Sequence, residues 1–75
     1  LIFTGIMECK DKSEFDSVMS KLKAIRNAKV FSDCLTITVD YYPSDTETEF
    51  EEEEAIARLS DIMESVEIHG FSINQ

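Results

Sequence analysis

Two segments of helical periodicity, each framed by strand-like runs, limit what this 75-residue chain can fold into. In the segment 11–27, DKSEFDSVMSKLKAIRN, the apolar residues Phe15, Val18, Met19, Leu22 and Ile25 recur at the spacing that lines one face of a helix. Asp11 followed by Glu14 offers a capping box at its start. Lys21, Lys23 and Arg26 lie near its end, where the helix dipole favours cations. A second helix is expected over about 47–65, with Ile56, Leu59, Ile62, Met63 and Val66 as its buried stripe. Thr46 with Glu49, or Thr48 with Glu51, offers its capping box.

The remaining runs read as strands. LIFTGIMEC (1–9) is short, apolar and rich in β-formers, as in a strand buried on much of both faces. Leu1, Phe3, Met7 and Cys9 share one parity and Ile2 and Ile6 the other, and Gly5 marks a bulge or a close approach. Residues 28–42, AKVFSDCLTITVDYY, are strand-like throughout. Leu35, Ile37, Val39 and Tyr41 alternate with Thr36, Thr38 and Asp40, so one face is wet. Ser32-Asp33 is the expected turn, which pairs Phe31 with Cys34 and Val30 with Leu35, and Pro43 ends the second strand. VEIHGFSINQ (66–75) is the last strand, with Gly70 as a bulge that shifts register between Val66 and Ile68 on one side and Phe71 and Ile73 on the other.

The order is therefore β-α-β-β-α-β in a single domain, 1–75, with no linker, repeat or low-complexity tract. Two right-handed crossovers on one antiparallel sheet give an α+β sandwich. Its first strand and the 35–41 strand lie side by side in the centre, and both helices cover one face. In element order the chain resembles the ferredoxin-like superfold, which hosts many functions and implies none of them.

An apolar fraction of 43% with only two Gly and one Pro suits compact, regular structure near the lower size limit for a self-sufficient core. The chain begins at Leu1 rather than Met, which leaves room for residues upstream. It shows no signal-like start and no apolar run long enough to span a membrane, so a cytoplasmic protein is expected. Cys9 and Cys34 read as two reduced, buried thiols, with a single bridge between neighbouring strands as the alternative.

Charge is the second constraint. The net charge is −9, and all of it resides in one half. Residues 1–40 balance six Lys/Arg against six Asp/Glu, whereas residues 41–75 hold ten Asp/Glu and only Arg58. Nucleic acid and anionic membrane surfaces both demand Lys/Arg and are excluded as direct partners. A calcium loop needs alternating oxygen ligands and a glycine at its sharp turn, which SDTETEFEEEE lacks. Zinc would want Cys and His, and the chain has one His. Catalysis by Cys9 or Cys34 with His69 as base has no convergent set of polar groups behind it, and no glycine loop cradles phosphate. No enzyme, metal or cofactor is expected.

Protein binding remains. With Ile56, Leu59 and Met63 directed inward, Glu53, Glu54, Asp61 and Glu64 project outward in a stripe containing Ala57 and Phe50. Glu47, Glu49 and Glu51 extend the negative field into the preceding loop. The plain account of such a run is a solvated, well-capped helix start with Phe50 folded back as a staple. A cap, however, needs one or two acids, and this half carries ten against one base. A basic protein partner, a nuclease or a nucleic-acid-binding complex, is the expected target. In size and charge the chain resembles phage DNA-mimic inhibitors, including anti-CRISPR proteins, and immunity proteins of nuclease toxins; the resemblance is compositional and carries over no residue. The alternative is a regulatory or structural subunit of ferredoxin-like fold that forms a homodimer through its sheet, where Ile2 and Ile6 would face the open side.

Overall fold

The computed structural model describes residues 2–74. It contains β1 (Ile2–Glu8), α1 (Lys12–Lys23), β2 (Ala28–Asp33), β3 (Thr36–Tyr41), α2 (Glu49–Glu64) and β4 (Ile68–Asn74). The four strands form one open antiparallel sheet in the order β2-β3-β1-β4, with β3 and β1 in the centre. The expected parity of Leu1 and the strand end at Gln75 lie outside the described residues.

Strand parity decides which side of the sheet is dry. On β1, Phe3 and Met7 are buried while Ile2, Thr4, Ile6 and Glu8 are exposed, so this strand is buried on one face and not on both. Ile37, Val39 and Tyr41 of β3 lie on the same dry side. Val18 and Leu22 of α1 and Ile56, Leu59 and Met63 of α2 close over them in a single apolar cluster. Burying each such side chain is worth about 1.5–3 kcal/mol. Among the described residues no helix lies on the opposite side of the sheet.

Gly5 sits on the dry face, opposite Val39 and Phe71 in an unbroken ladder, so it marks no bulge. It marks a close approach: a methyl group there would fall on the thioether of Met63. Glycine lets α2 settle onto β1 at this point.

α1 is shorter than its apolar pattern. Asp11 caps it by accepting from the Glu14 amide at 2.8 Å, while the Glu14 carboxylate accepts from the Lys10 amide at 2.9 Å, one residue before the cap. The helix stops at Lys23, the Ile25 amide turns back to Leu22 O, and Asn27 reverses the chain with φ +67°. Asparagine is among the few side chains that enter this left-handed region readily.

The hairpin differs from the expected one. Its loop is Cys34-Leu35, not Ser32-Asp33, and Val30 pairs with Val39 and Phe31 with Thr38. This register sets Ala28 and Val30 against Tyr41 and Val39 on the helix side, and turns Phe31 out to the open side. Only Cys34 of the two loop residues takes a positive φ, +56°, the sign pattern of a II′ hairpin turn. Cys34 is consequently exposed, whereas Cys9 at the end of β1 is buried as expected; both are free thiols.

β4 also departs from expectation. Its seven residues pair with β1 without interruption, so Gly70 is not a bulge and Ile68 and Phe71 face opposite sides. Val66 is buried before the strand begins. β4 is an edge strand, and α2 leaves even its helix-side residues Phe71 and Ile73 partly exposed.

Candidate functional site

The second helix starts where its sequence allows the best cap. Thr48 Oγ1 accepts from the Glu51 amide and the Glu51 carboxylate accepts from the Thr48 amide, both at 3.1 Å. This is the second of the two boxes that the sequence offers. Glu49, Glu51 and Glu52 then lie in the first turn, where the helix dipole favours anions. The last turn carries no basic residue.

With Leu59 and Met63 fully buried and Ile56 nearly so, 100° per residue directs Phe50, Glu54, Ala57 and Asp61 away from the sheet, with Glu53 and Glu64 beside them. All six are exposed. Phe50 is 72% exposed and does not fold back as a staple. Arg58 bonds Glu54 at 2.7 Å across one helical turn. Glu49, Glu53, Asp61 and Glu64 make no side-chain hydrogen bond or ion pair among the described residues. The exposed stripe thus holds an aromatic ring among carboxylates, of which Glu54 alone is ion-paired among the described residues.

Glu47 belongs to a different structure. Its carboxylate turns inward and accepts from the Tyr41 hydroxyl and from Asn27 Nδ2. The hydrogen bond from Tyr41 is the main cause that holds the Glu47 carboxyl below its usual range, and Asn27 adds to it. In the other direction, burial first and then the Glu47 bond push the Tyr41 hydroxyl well above its ordinary value. The three residues tie the β3–α2 loop to the α1–β2 turn. The sequence signal for this tie was weak: the partners lie 6 and 20 residues from Glu47.

Comparison with known proteins finds no matching family, curated protein or solved structure.

The residues weighed for catalysis do not converge. Cys34 lies in the β2–β3 loop at one edge of the sheet and His69 lies on β4 at the other. His69 Nδ1 is 2.6 Å from the Val66 carbonyl oxygen, and its ring stacks towards Phe71. Cys9 has its pKa raised, chiefly by burial and further by Glu14 and Asp11, which keeps it a thiol. A cleft of about 280 Å³ separates the end of α1 from the first turns of α2. Tyr41 and Glu47 line it with Arg26 and Arg58, and Tyr41 and Glu47 are already bonded to each other. Among the described residues, no three His, Cys, Asp or Glu side chains cluster to hold a metal ion, and no helix is long and apolar enough to cross a membrane.

Sequence reasoning passed over two exposed apolar residues that share the open side of the sheet with Ile6, Phe31 and Ile68, and the exposed ring of Tyr42 beneath the Lys29 ammonium. For Phe31 a signal existed. Ala28 and Val30 alternate with Lys29 and Phe31, and the pairing of small apolar with charged positions already marks Lys29 and Phe31 as the outward parity.

Proposed function

We propose that this chain is a non-enzymatic cytoplasmic protein that binds a basic protein surface through the outer face of α2. The observation that carries this reading is Phe50, 72% exposed among the acids of the first helical turns. An aromatic ring supplies an anchor, and carboxylates around it supply steering and selectivity.

Charge density supports a nucleic-acid-handling protein as the partner. α2 carries seven acids in 16 residues. Five of the seven lie within residues 49–54, about 9 Å of helix at 1.5 Å per residue, so the negative charge is concentrated at its N-terminal end. Such a helix suits the Lys/Arg groove that phosphates would otherwise occupy. The scaffold is read as a ferredoxin-like sandwich, on the element order and on β1 and β3 being central.

The test begins with proteins captured from lysate at low salt and released at high salt. Against a captured partner, the variant Glu49→Gln, Glu51→Gln, Glu53→Gln, Glu54→Gln should associate more slowly and with a flatter salt dependence. Phe50→Ala should mainly speed dissociation. Nucleic acid should compete with the wild-type chain for the partner. A folded quadruple variant with unchanged association rate and salt dependence would return the acids to the plain role of a hydrated helix start.

A further inference from the structure

Nothing among the described residues requires glycine at position 70. It lies in mid-strand, pairs with Ile6 in an unbroken ladder and has no positive φ. A methyl group placed on it would meet nothing within 4 Å. Glycine weakens a strand interior, and it recurs where something approaches the backbone closely. Among the described residues nothing does so, and the position opens a hollow on the uncovered side of the sheet.

The row of residues around that hollow is complementary to itself. Across β4, β1, β3 and β2 it reads Gly70, Ile6, Thr38, Phe31. Ile6 is 51% exposed and Phe31 57%. A two-fold axis parallel to the strands, between β1 and β3, brings this row against its own reverse. Phe31 then stands opposite Gly70, and Ile6 opposite Thr38, so that the largest side chain meets the missing one.

The neighbouring rows set each charged residue against an uncharged one. One reads Ile68, Glu8, Thr36, Asp33 and the other Ser72, Thr4, Asp40, Lys29. Under the same axis Glu8 meets Thr36, Asp40 meets Thr4, Asp33 meets Ile68 and Lys29 meets Ser72. No acid faces an acid, although the chain carries −9. The acidic helices stay on the outer faces with both sheets between them. Stacked sheets alone are about 10 Å apart, already beyond a Debye length of about 8 Å at physiological salt.

We propose that a second copy of this chain covers the open sheet face, with Phe31 of each protomer filling the hollow over Gly70 of its partner. Aligned stacking of two sheets, with strands within about 30° of each other, provides the geometry. The dimer displays two acidic helices on opposite outer surfaces. It is independent of what α2 binds.

Sedimentation equilibrium over a range of concentrations tests this. The wild-type chain should dimerise. Gly70→Val fits the monomer, because the space is empty and valine suits a strand, yet it should weaken the dimer at least tenfold. Phe31→Ala should do the same from the other side of the contact. In the double variant the valine occupies room that Phe31 vacates, so the loss should be smaller than the two single losses combined. A wild-type chain that stays monomeric overturns the proposal. So does a dimer indifferent to Gly70→Val or to Phe31→Ala, since edge-to-edge pairing through β4 would not depend on Phe31. Far-UV circular dichroism confirms the fold of each variant.

Discussion

Gly5→Ala is the sharpest test of how α2 sits on the sheet. The added methyl would lie 2.5 Å from Met63 Cε, closer still to Sδ, and 3.1 Å from Phe3 Cε1. Both neighbours are fully buried, so neither has free volume to enter. Overpacking of this kind costs about 1–3 kcal/mol. Two effects reduce it: the thioether is flexible and yields more readily than backbone, and alanine lowers the entropy of the unfolded chain by about 0.4–1 kcal/mol relative to glycine. The net expectation is about 1–2 kcal/mol of destabilisation. For a domain of this size that lowers Tm by about 5–15 °C. The assay is thermal and urea unfolding of four proteins: wild type, Gly5→Ala, Met63→Ala and the pair. Met63→Ala alone should cost about 2–5 kcal/mol through the cavity it leaves. In that background the Gly5 methyl has room, so Gly5→Ala should become neutral or stabilising, with a coupling of about 1–3 kcal/mol. A Gly5→Ala protein as stable as wild type, or the same loss in both backgrounds, would refute the close approach of α2 to β1.

Cys34→Gly should stabilise the hairpin by about 0.5–1 kcal/mol, because relief of a left-handed side chain, about 1–2 kcal/mol, exceeds the entropy that glycine adds to the unfolded chain; a lower Tm would contradict the turn geometry. A polar alkylating reagent should label Cys34 rapidly in the native protein and leave Cys9 unmodified until unfolding, which mass spectrometry of partly labelled samples reads directly. Tyr41→Phe should lower Tm at neutral pH, and the gap to wild type should close at both extremes. Glu47 has a depressed folded pKa, so its contribution holds above about pH 4.3 and fades as pH falls through the lower folded value. Tyr41 has a raised one, so its contribution holds below about pH 10 and fades as pH rises beyond it. A pH-independent gap would mean that the hydroxyl and the carboxylate do not meet.

Element type and order were legible because each segment keeps one period: Phe15, Val18, Met19 and Leu22 mark one face of α1, and Ile37, Val39 and Tyr41 alternate cleanly along β3. Places where two local signals compete were not. Ser32-Asp33 looks more like a turn than Cys34-Leu35, yet the core contacts of Val30 and Ala28 set the register and leave a cysteine at positive φ. Gly70 looks like a bulge, and continuous pairing with β1 overrides it. The outward stripe of α2 could be read residue by residue, since helical periodicity alone places Phe50, Glu54 and Asp61. The inward turn of Glu47 could not, because it depends on Asn27 reversing the chain 20 residues earlier.

One feature of the sheet bears on how the molecule behaves in concentrated solution. From Ile68 to Asn74 the β4 edge carries neither Asp, Glu, Lys, Arg nor Pro, while the opposite edge, β2, carries Lys29 and Asp33. Edge strands are ordinarily kept from adding to one another by charge or proline placed on the strand itself. Here the protection is remote, a colloidal repulsion generated by carboxylates on the loop and helix that precede β4. Such protection titrates. As pH falls towards the pI of about 4.3 the repulsion vanishes, while the backbone groups of β4 remain as ready to pair as before. Mild acid, rather than heat, should therefore be the condition that brings folded molecules together strand to strand, and light scattering that stays flat as pH falls to the pI would refute it.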